Sequence, residues 1–475
     1  MAILAIDQGT TSTRALLVEK SGAGRIVKAV EHRQFYPKPG WVEHDADELI
    51  QNIQSCINSC DDVQAIGIDN QGESCLAWNA ETKLPITPVI VWQDNRTQPT
   101  IDKLKSENGQ ELVLEKAGLP LDSYFSATKL AWIVENIPEA KRLLADGKLR
   151  LGTTDAFFLD RLAGQFVTDI STASRTSLMN LHNGQWDEEL CDLFAVPIQT
   201  LPEIVATTGN FGEIKSNDRS IPVTASIVDQ QAALYGHGCT KTGDAKITFG
   251  TGAFALAVTG DRVYQSAEQG LLPTVAWQLA GRKPVYALDG GVFSAGSAIN
   301  WARSLGLFTT YDQIQEFAQN KKSAIERDLV FVPALSGLGC PYWDRKAGGM
   351  WIGLSLDTQP MDLMQSILEG IVFRAAEVIA AMNEFVAIED EISIDGGLTA
   401  NPYFCQFLAD VLDRQVIVQP SAELTALGTA KLAGGHSLNY HSPEDLMQRY
   451  SPETDRREYL HKFKDAVKRA GQWRD

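Results

Sequence analysis

One pattern of residues occurs twice in this chain of 475 residues. Each copy consists of an apolar stretch, a turn rich in glycine and threonine, and a second apolar stretch. The copies are ILAIDQGTTSTRALLV (3–18) and KITFGTGAFALAVTG (246–260). Two strand hairpins so far apart in the chain indicate two similar halves that face each other, although glycine and threonine also suit any tight strand connection.

The order of the apolar patterns predicts a mixed α/β chain. Residues 2–34 contain three apolar stretches separated by polar turns, which is typical of a strand meander. Residues 45–59 begin with acidic residues and then carry apolar residues at helical spacing, so we expect an amphipathic helix there. The strand pattern VQAIGIDN (63–70) follows, and short helical patterns fill the region 100–220. Strands covered by returning helices are the plan of an α/β domain.

The charge balance and the cysteines exclude several classes of protein. The chain carries 42 Lys and Arg against 60 Asp and Glu, a formal net charge of −18. Nucleic acids and anionic membranes are bound largely through clustered Lys and Arg, so we expect neither as a partner. The seven cysteines include no CxxC pair, which predicts reduced, mostly buried thiols. Because no uncharged apolar run approaches the roughly 18 residues that span a bilayer, and the start is unlike a signal peptide, we expect a soluble, cytoplasmic protein.

The first hairpin turn is the first candidate site. Asp7 stands at the end of a buried strand, where a carboxylate is costly unless it serves something such as a metal ion. The turn after it offers backbone N–H groups, the hydroxyls of Thr10, Thr11 and Ser12, and the guanidinium of Arg14. These groups suit a polyphosphate, and Asp7 suits Mg²⁺, which prefers oxygen ligands. The alternative is a plain β-turn whose threonines reflect strand propensity.

Two glycine-rich turns in the second half are further candidates for binding a nucleotide. Gly250-Thr251-Gly252 lets the backbone approach a phosphate closely. Asp395-Gly396-Gly397 lies between a strand pattern and a helix pattern, where helix-terminal N–H groups can bind phosphate. Both patterns also occur as ordinary tight turns. The chain contains neither GxGxxG nor GxxxxGK(S/T), so Rossmann and P-loop folds are not indicated.

Asp229 is the candidate for acid–base chemistry. It follows the apolar stretch PVTASIV and precedes two amides, Gln230 and Gln231. An acid in this position can act as a general base, but it can equally cap the helix that follows. Two polar turns, NQGE (70–73) and WQDNR (92–96), also end strands. Several strands that end in polar groups at one edge commonly form the cleft of an α/β protein.

Taken together, DQGTTSTR, TFGTGAF and SIDGGLTAN in this order resemble the FGGY family of carbohydrate kinases. The stretches 124–133 and 349–369 are similar to signature segments of that family, and the likeness covers nearly the whole chain. The resemblance implies an α/β fold of two duplicated ribonuclease-H-like domains, as in actin-like ATPases, that face each other across a cleft. We expect the N-terminal domain to span 1–237 and the C-terminal domain to span 238–475.

The resemblance also implies ATP-dependent phosphorylation of a terminal hydroxyl of a small polyol, with Asp229 as the general base and Asp7 serving Mg²⁺. The residues expected to bind the nucleotide are Thr10, Thr11, Ser12, Arg14, Thr251, Gly252, Gly296, Asn300, Gly397 and Asn401. Those expected around the polyol are Gly72, Glu73, Trp92, Tyr124, Asp229, Gln230 and Phe254. One alternative is a non-enzymatic nucleotide switch of the same fold, but such a protein does not need the residues expected around the polyol. Another alternative is a regulator descended from a kinase, in which we would expect a damaged phosphate or base motif. We also expect a homodimer or homotetramer.

Within the family, four segments are similar to the kinases that act on glycerol. They are YPKPGWVEHD (36–45), SYFSATK (123–129), SIVDQQAALYG (226–236) and GLGCPYWD (337–344). Where those kinases have an arginine that hydrogen-bonds the polyol, immediately before the glutamate, this chain has Gly72. The loss removes five fixed donors and leaves space in which a longer polyol would fit.

Two further features bear on the substrate and on control. The segment WQDNR (92–96) is also similar to the pentulose kinases of the family. The four segments lead us to expect glycerol as the substrate. Gly72 and WQDNR make a tetritol, a pentitol or a pentulose the alternative. Segment 209–223 lacks the Gly/Arg-rich loop that binds fructose bisphosphate in regulated glycerol-phosphorylating relatives, so we expect this control to be absent.

Overall fold

The computed structural model describes residues 2–20, 24–265, 270–315, 322–435 and 446–474. Each half of the chain contributes one large mixed sheet, of six strands in the first half and seven in the second. Apolar side chains buried on the faces of these sheets form the main clusters of the core.

The first half opens with three antiparallel strands. Its strands are β1 (Ala2–Gln8), β2 (Ser12–Glu19), β3 (Gly24–Glu31), β4 (Glu43–His44), β5 (Ala65–Asn70), β6 (Cys75–Asn79), β7 (Val89–Ile90), β8 (Leu149–Thr153), β9 (Val167–Asp169), β10 (Met179–Asn180), β11 (Gln185–Trp186), β12 (Glu203–Val205), β13 (Glu213–Ser216) and β14 (Arg219–Val228). Its helices are α1 (Ala46–Ile57), α2 (Gln98–Ser106), α3 (Gly109–Ala117), α4 (Ser126–Asn136), α5 (Pro138–Ala145), α6 (Thr154–Phe158), α7 (Ile170–Ala173), α8 (Glu188–Phe194) and α9 (Asp229–Gly236).

The second half repeats the opening hairpin. Its strands are β15 (Ala245–Phe249), β16 (Ala253–Gly260), β17 (Leu272–Trp277), β18 (Val285–Val292), β19 (Val330–Val332), β20 (Met350–Ile352), β21 (Glu391–Gly396), β22 (Gln415–Val418) and β23 (Gln448–Tyr450). Its helices are α10 (Gly296–Ser304), α11 (Asp312–Gln315), α12 (Pro360–Asn383), α13 (Pro402–Leu412), α14 (Leu424–Gly434) and α15 (Glu458–Ala470). Shorter helical turns lie at Leu159–Ala163, Ile198–Thr200, Ile325–Arg327 and Gly397–Ala400.

The two large sheets share one topology. The strand order is β13-β14-β5-β1-β2-β3 in the first and β17-β18-β16-β15-β21-β22-β23 in the second. In each sheet the hairpin's first strand pairs antiparallel with the next strand and parallel with a later one, β1 with β2 and β5, and β15 with β16 and β21. A further parallel strand, β14 or β22, follows on the same side. The predicted α/β class and the predicted duplication are confirmed.

The local elements follow the patterns that predicted them. The meander of residues 2–34 forms β1, β2 and β3, and the helix expected at 45–59 is α1. This helix begins after Asp45, whose carboxylate accepts hydrogen bonds from the N–H groups of Asp47 and Glu48, as an N-cap residue does. Leu49 and Ile53 lie on its buried face. The short helices α2 to α8 lie in the region predicted to contain them, although α2 begins two residues before it.

The two halves exchange helices. α9 ends the first half, yet its Ala232 and Leu234 belong to an apolar cluster with Leu256 and Val258 of β16, a strand of the second sheet. α14 follows β22 of the second sheet, yet it packs against β1, β5 and β14 of the first sheet. Each sheet is therefore covered in part by a helix from the other half.

The exchanged helices touch through their backbones. A Cβ atom placed on Gly428 of α14 would lie 1.9 Å from the carbonyl oxygen of Ala232, and one on Gly236 of α9 would lie 1.9 Å from the carbonyl oxygen of Leu424. Only glycine permits so close an approach. The small-residue helix LTALGTAKLAG is thus explained by its contact with α9.

All seven cysteines are buried, which confirms the expectation of buried thiols. Within the part of the chain that the structure describes, no helix combines the length and apolarity needed to cross a membrane.

We predict that Gly428→Ala lowers the free energy of unfolding by about 2–3 kcal/mol, because overpacking at a rigid contact forces the backbones apart. Chemical denaturation followed by circular dichroism measures the change. Gly209→Ala is the matched control, because no atom lies within 4 Å of a Cβ placed there. Equal stability of the two variants would contradict the close contact of the helices.

Candidate active site

Three carboxylates gather at the carboxyl ends of neighbouring strands in the first sheet. Asp7 of β1 lies opposite Asp69 of parallel strand β5, and Asp69 in turn lies opposite Ile227 of β14. Asp229 begins α9 directly after β14. Because the carboxyl ends of parallel strands meet at one edge, residues far apart in the chain form one acidic cluster.

Asp7 and Asp69 form a buried pair. Burial raises the pKa of both carboxyls, and each carboxyl also influences the pKa of the other because the two residues lie opposite each other. Oδ2 of Asp69 also accepts a hydrogen bond of 2.7 Å from Oγ1 of Thr429, on α14. Sequence analysis missed Asp69, although an acid inside the apolar strand AIGIDN is a signal of the kind that identified Asp7.

A cavity of about 150 Å³ opens beside Asp229, between the two halves. The first half supplies Thr10, Gly72, Glu73, Trp92, Tyr124, Arg175, Val228, Asp229, Gln230 and Gln231, and the second supplies Phe254 and Asp289. All seven residues expected around the polyol are among these, so the structure brings that predicted set together.

Glu73, Arg175 and Asp289 form a buried ionic row along one wall. Nε of Arg175 lies 2.7 Å from Oε1 of Glu73, and its Nη2 lies 3.2 Å from Oδ2 of Asp289. Glu73 has a φ of 58°, a left-handed backbone conformation that is strained for this residue type. Sequence analysis missed Arg175 and Asp289. An acid within the apolar strand VYALDGGV could have indicated Asp289, whereas no local pattern marks Arg175.

Aromatic rings form another part of the wall. Trp92 and Tyr124 meet edge to face with ring centroids 5.6 Å apart. The buried ammonium group of Lys129 donates to the carbonyl oxygens of Tyr124 at 2.5 Å and Trp92 at 3.5 Å, which fixes the backbone beneath both rings. Nε1 of Trp92 donates to Oγ1 of Thr10 at 3.1 Å. The first hairpin turn, expected to bind the nucleotide, therefore touches the wall of this cavity.

Asp229 is poised for proton transfer near neutral pH. Burial, assisted by the charges of Glu73 and Asp7, raises the pKa of its carboxyl to about 7. The ammonium group of buried Lys246 acts in the opposite direction and also donates to Oε1 of Gln230 at 3.0 Å. A carboxylate with a pKa near the working pH is suited to general base catalysis. The alternative of a helix cap is not favoured, because the Asp229 side chain bonds only to the N–H of the next residue among the described hydrogen bonds.

The expectation that Gly72 leaves space for a longer polyol stays a prediction. A Cβ atom on Gly72 would lie 2.7 Å from Cγ2 of Val228, but no other atom lies within 4 Å of it, and both residues line the cavity. Further space for a longer substrate lies next to this cavity. A second chamber of about 490 Å³ adjoins the cavity and shares five lining residues with it, namely Trp92, Tyr124, Arg175, Phe254 and Asp289.

The second hairpin packs tightly against the start of α10. The N–H of Gly296 donates to the carbonyl of Gly250 at 2.9 Å, and the N–H of Ser297 donates to the carbonyl of Thr251 at 3.0 Å. A Cβ on Gly252 or on Gly296 would lie 2.5 Å from a backbone oxygen, so both positions require glycine. The hydroxyl-bearing Thr251 remains exposed at the tip.

The other residues expected at the nucleotide lie at the same edge of the second sheet. Gly397 follows β21, the neighbour of β15, and open space surrounds it. Asn300 is exposed on α10, one turn from Gly296. Asn401 is largely buried and caps α13, since its side chain accepts from the N–H of Phe404 at 3.1 Å. This last contact gives Asn401 a structural role in addition to the predicted one.

In the first hairpin, Thr11 is exposed and Ser12 is partly exposed. Arg14 forms an ion pair. Nη1 of Arg14 lies 3.1 Å from Oε1 of Glu423, just before α14. The guanidinium expected to reach a phosphate thus contacts a carboxylate in this structure.

The two halves, their matched hairpins and a buried carboxylate beside a polar and aromatic cavity define the class of actin-like phosphotransferases. The family models specify the family. The model described as FGGY family of carbohydrate kinases, N-terminal domain, matches residues 2–236, and the model of the C-terminal domain matches residues 245–436. This chain belongs to the FGGY family of carbohydrate kinases and is an ATP-dependent kinase.

Relatives with curated names cover the whole chain. The glycerol kinases of Mycoplasma genitalium and Deinococcus radiodurans are each 38% identical to it, over 100% of this chain and 98% of theirs. The crystal structure of Plasmodium falciparum glycerol kinase with ADP is 31% identical, has a TM-score of 0.92, and covers 99% of this chain and 98% of its own. The resemblance stated from the sequence is confirmed.

We predict that kcat/KM of the kinase reaction falls as the pH drops below about 7, because Asp229 then gains a proton and cannot accept another. The variant Lys246→Met removes a positive charge that lowers the pKa of Asp229, so the fall should begin at higher pH. Initial rates measured across a pH series for both proteins test this. An unchanged acid limb in the variant would contradict the electrostatic coupling.

Proposed function

We propose that the protein transfers the γ-phosphoryl group of ATP to a terminal hydroxyl of glycerol, producing glycerol 3-phosphate and ADP. The observation that carries the proposal is the carboxylate of Asp229, with a pKa of about 7, on a cavity of about 150 Å³. A cavity of this size equals about five water molecules and suits a three-carbon polyol. The glycerol kinases to which the chain is similar support the same substrate.

The proton has a defined destination in this proposal. The terminal hydroxyl of glycerol donates its proton to Asp229 as its oxygen attacks the γ-phosphorus. A new oxygen–phosphorus bond forms while the bond to the leaving ADP oxygen breaks. Phosphoryl transfer needs positioning and neutralisation of charge more than covalent help from the protein.

The cavity walls would orient the polyol for this attack. Trp92, Tyr124 and Phe254 present ring surface to the carbon chain, and Glu73 and Gln230 present polar atoms to its hydroxyls. Lys246 fixes Gln230, and Arg175 fixes Glu73, so both polar groups are held before substrate arrives. Such preorganisation lowers the entropic cost of reaching the reactive geometry.

The two hairpins would hold the phosphates. Thr10, Thr11, Ser12 and Thr251 offer hydroxyl and N–H donors. The remaining proposed nucleotide contacts are on the second hairpin (Gly252), on α10 (Gly296, Asn300), after β21 (Gly397) and at the start of α13 (Asn401). Asp7 and Asp69 suit Mg²⁺, which proteins usually bind through one or two carboxylates plus substrate phosphates. When bound, the ion would neutralise charge on the phosphates. Among the described residues no group of three His, Cys, Asp or Glu side chains could hold a metal by itself.

A second substrate class is favoured by one observation. The chamber of about 490 Å³ adjoins the polyol cavity and is lined by further rings, including Phe125, Phe293 and Trp343. A tetritol, pentitol or pentulose could extend into it from the same reactive end. The assembly as a homodimer or homotetramer, the cytoplasmic location and the domain division at 237/238 stay predictions.

A coupled assay of ADP release across glycerol, tetritols, pentitols and ketopentoses tests the substrate. We expect the highest kcat/KM for glycerol. A tetritol, pentitol or pentulose that exceeds glycerol by tenfold would replace glycerol with the second class. Failure of every compound to stimulate ADP release would refute the proposed function.

We predict that Asp229→Asn lowers kcat for the best substrate by about a hundredfold or more, because loss of a general base typically has that effect. The amide keeps the size of the side chain but cannot accept the proton. Steady-state kinetics measure the change, and ADP binding by calorimetry checks that the variant is folded. A rate within threefold of wild type would show that Asp229 is not the base.

A further inference from the structure

Arg175 is the one cationic side chain among the described residues that line the polyol cavity. It follows α7, is 4% exposed, and lies where the cavity meets the larger chamber, since it lines both. Its guanidinium stands between the carboxylates of Glu73 and Asp289.

The guanidinium retains unused hydrogen-bonding capacity. Of its five N–H donors, the structure assigns that of Nε to Glu73, and Nη2 pairs with Oδ2 of Asp289. Nη1 is buried and has no hydrogen-bond partner within the described ranges, and the same holds for Oδ1 of Asp289. Buried polar atoms nearly always find partners, so an unpaired donor and an unpaired acceptor on adjoining side chains are unusual.

The neighbouring wall offers no second cation for this task. Gly72 has no side chain, and a methyl group of Val228 lies beside it. Nε1 of Trp92 is already engaged with Thr10, and Oε1 of Gln230 accepts from Lys246. Arg175 is thus the one cationic donor among the described lining residues, and Asp289 lies directly beside it.

We propose that Nη1 of Arg175 and Oδ1 of Asp289 hydrogen-bond a hydroxyl of the polyol other than the one that is phosphorylated. This inference rests on the proposed function and assigns Arg175 and Asp289 as residues that determine specificity. The bound hydroxyl donates to Oδ1 and accepts from Nη1, so both atoms gain the partner that they lack. An analogue without this hydroxyl leaves a buried charge-assisted pair unsatisfied and is rejected.

A purely structural role for Arg175 would give a different result when the arginine is replaced. If the arginine only holds Glu73 in place, its replacement should weaken every substrate by the same factor. If it contacts a hydroxyl of the substrate, its replacement should weaken only those substrates that possess this hydroxyl. The ratio of kcat/KM between glycerol and an analogue separates the two roles.

The experiment compares glycerol with the two propanediols, each of which lacks one hydroxyl of glycerol. We expect wild type to prefer glycerol, and both Arg175→Lys and Asp289→Asn to reduce that preference for one of the propanediols by about tenfold or more. Asp289→Asn keeps the size of the side chain, so it provides a second test if the lysine variant folds poorly. Arg96→Lys is the matched control, because Arg96 is equally buried between two carboxylates, Glu43 and Asp94, but does not line the cavity.

The outcomes are distinguishable. An equal loss on glycerol and on both propanediols, or no loss at all, would overturn the inference and leave the kinase activity intact. A change of preference in Arg96→Lys as large as in Arg175→Lys would overturn it as well. If wild type does not phosphorylate glycerol, the proposed substrate fails, and erythritol with a butanetriol then provides the same comparison for Arg175.

Discussion

The exchange of helices between the halves is the constraint on which the cavity depends. α9 carries Asp229 and Gln230 in its first turn, and it packs on the second sheet while β14, which leads into it, stays in the first. The candidate base is therefore fixed relative to both walls of the cavity at once. Gly236 and Gly428 make this possible, because a side chain at either would separate the two helices.

Desolvated charge sets the chemistry of the site. Burial raises the pKa of Glu73, Asp229 and Asp289, since each carboxylate has lost water. The cations of Arg175 and Lys246 oppose that shift. The balance of the two effects leaves Asp229, the proposed base, with a pKa of about 7, whereas Glu73, a proposed contact of the polyol, is held by its ion pair with Arg175.

Much of the site could be predicted from the sequence because its parts lie in local motifs. The hairpins, the acid after an apolar strand at Asp229, and the turns that contain Glu73 and Trp92 are all visible as short patterns. Arg175 could not be found in this way, because its role arises from contacts with residues from three other elements.

The meaning of Gly72 also depends on tertiary structure. Whether a missing side chain leaves space depends on its neighbours, and the sequence does not show that Val228 lies beside this glycine. The duplicated fold was easier to predict, because repeated strand pairing follows from repeated apolar patterns along the chain. The exchange of helices required the packing of both sheets to be known.

The hydrogen bond from Trp92 to Thr10 has a consequence for how the two substrates influence each other. Trp92 lines the cavity proposed to bind the polyol, and Thr10 belongs to the hairpin proposed to bind the nucleotide. A ligand that moves the indole of Trp92 weakens its hydrogen bond to the hydroxyl of Thr10. A ligand that binds the hydroxyl of Thr10 competes with the same hydrogen bond and so affects the position of Trp92. If the bound alcohol changes the affinity for the nucleotide by some factor, thermodynamic reciprocity requires that the bound nucleotide changes the affinity for the alcohol by the same factor. The single hydrogen bond between Trp92 and Thr10 can thus make the binding of the two substrates cooperative or antagonistic without a separate regulatory site.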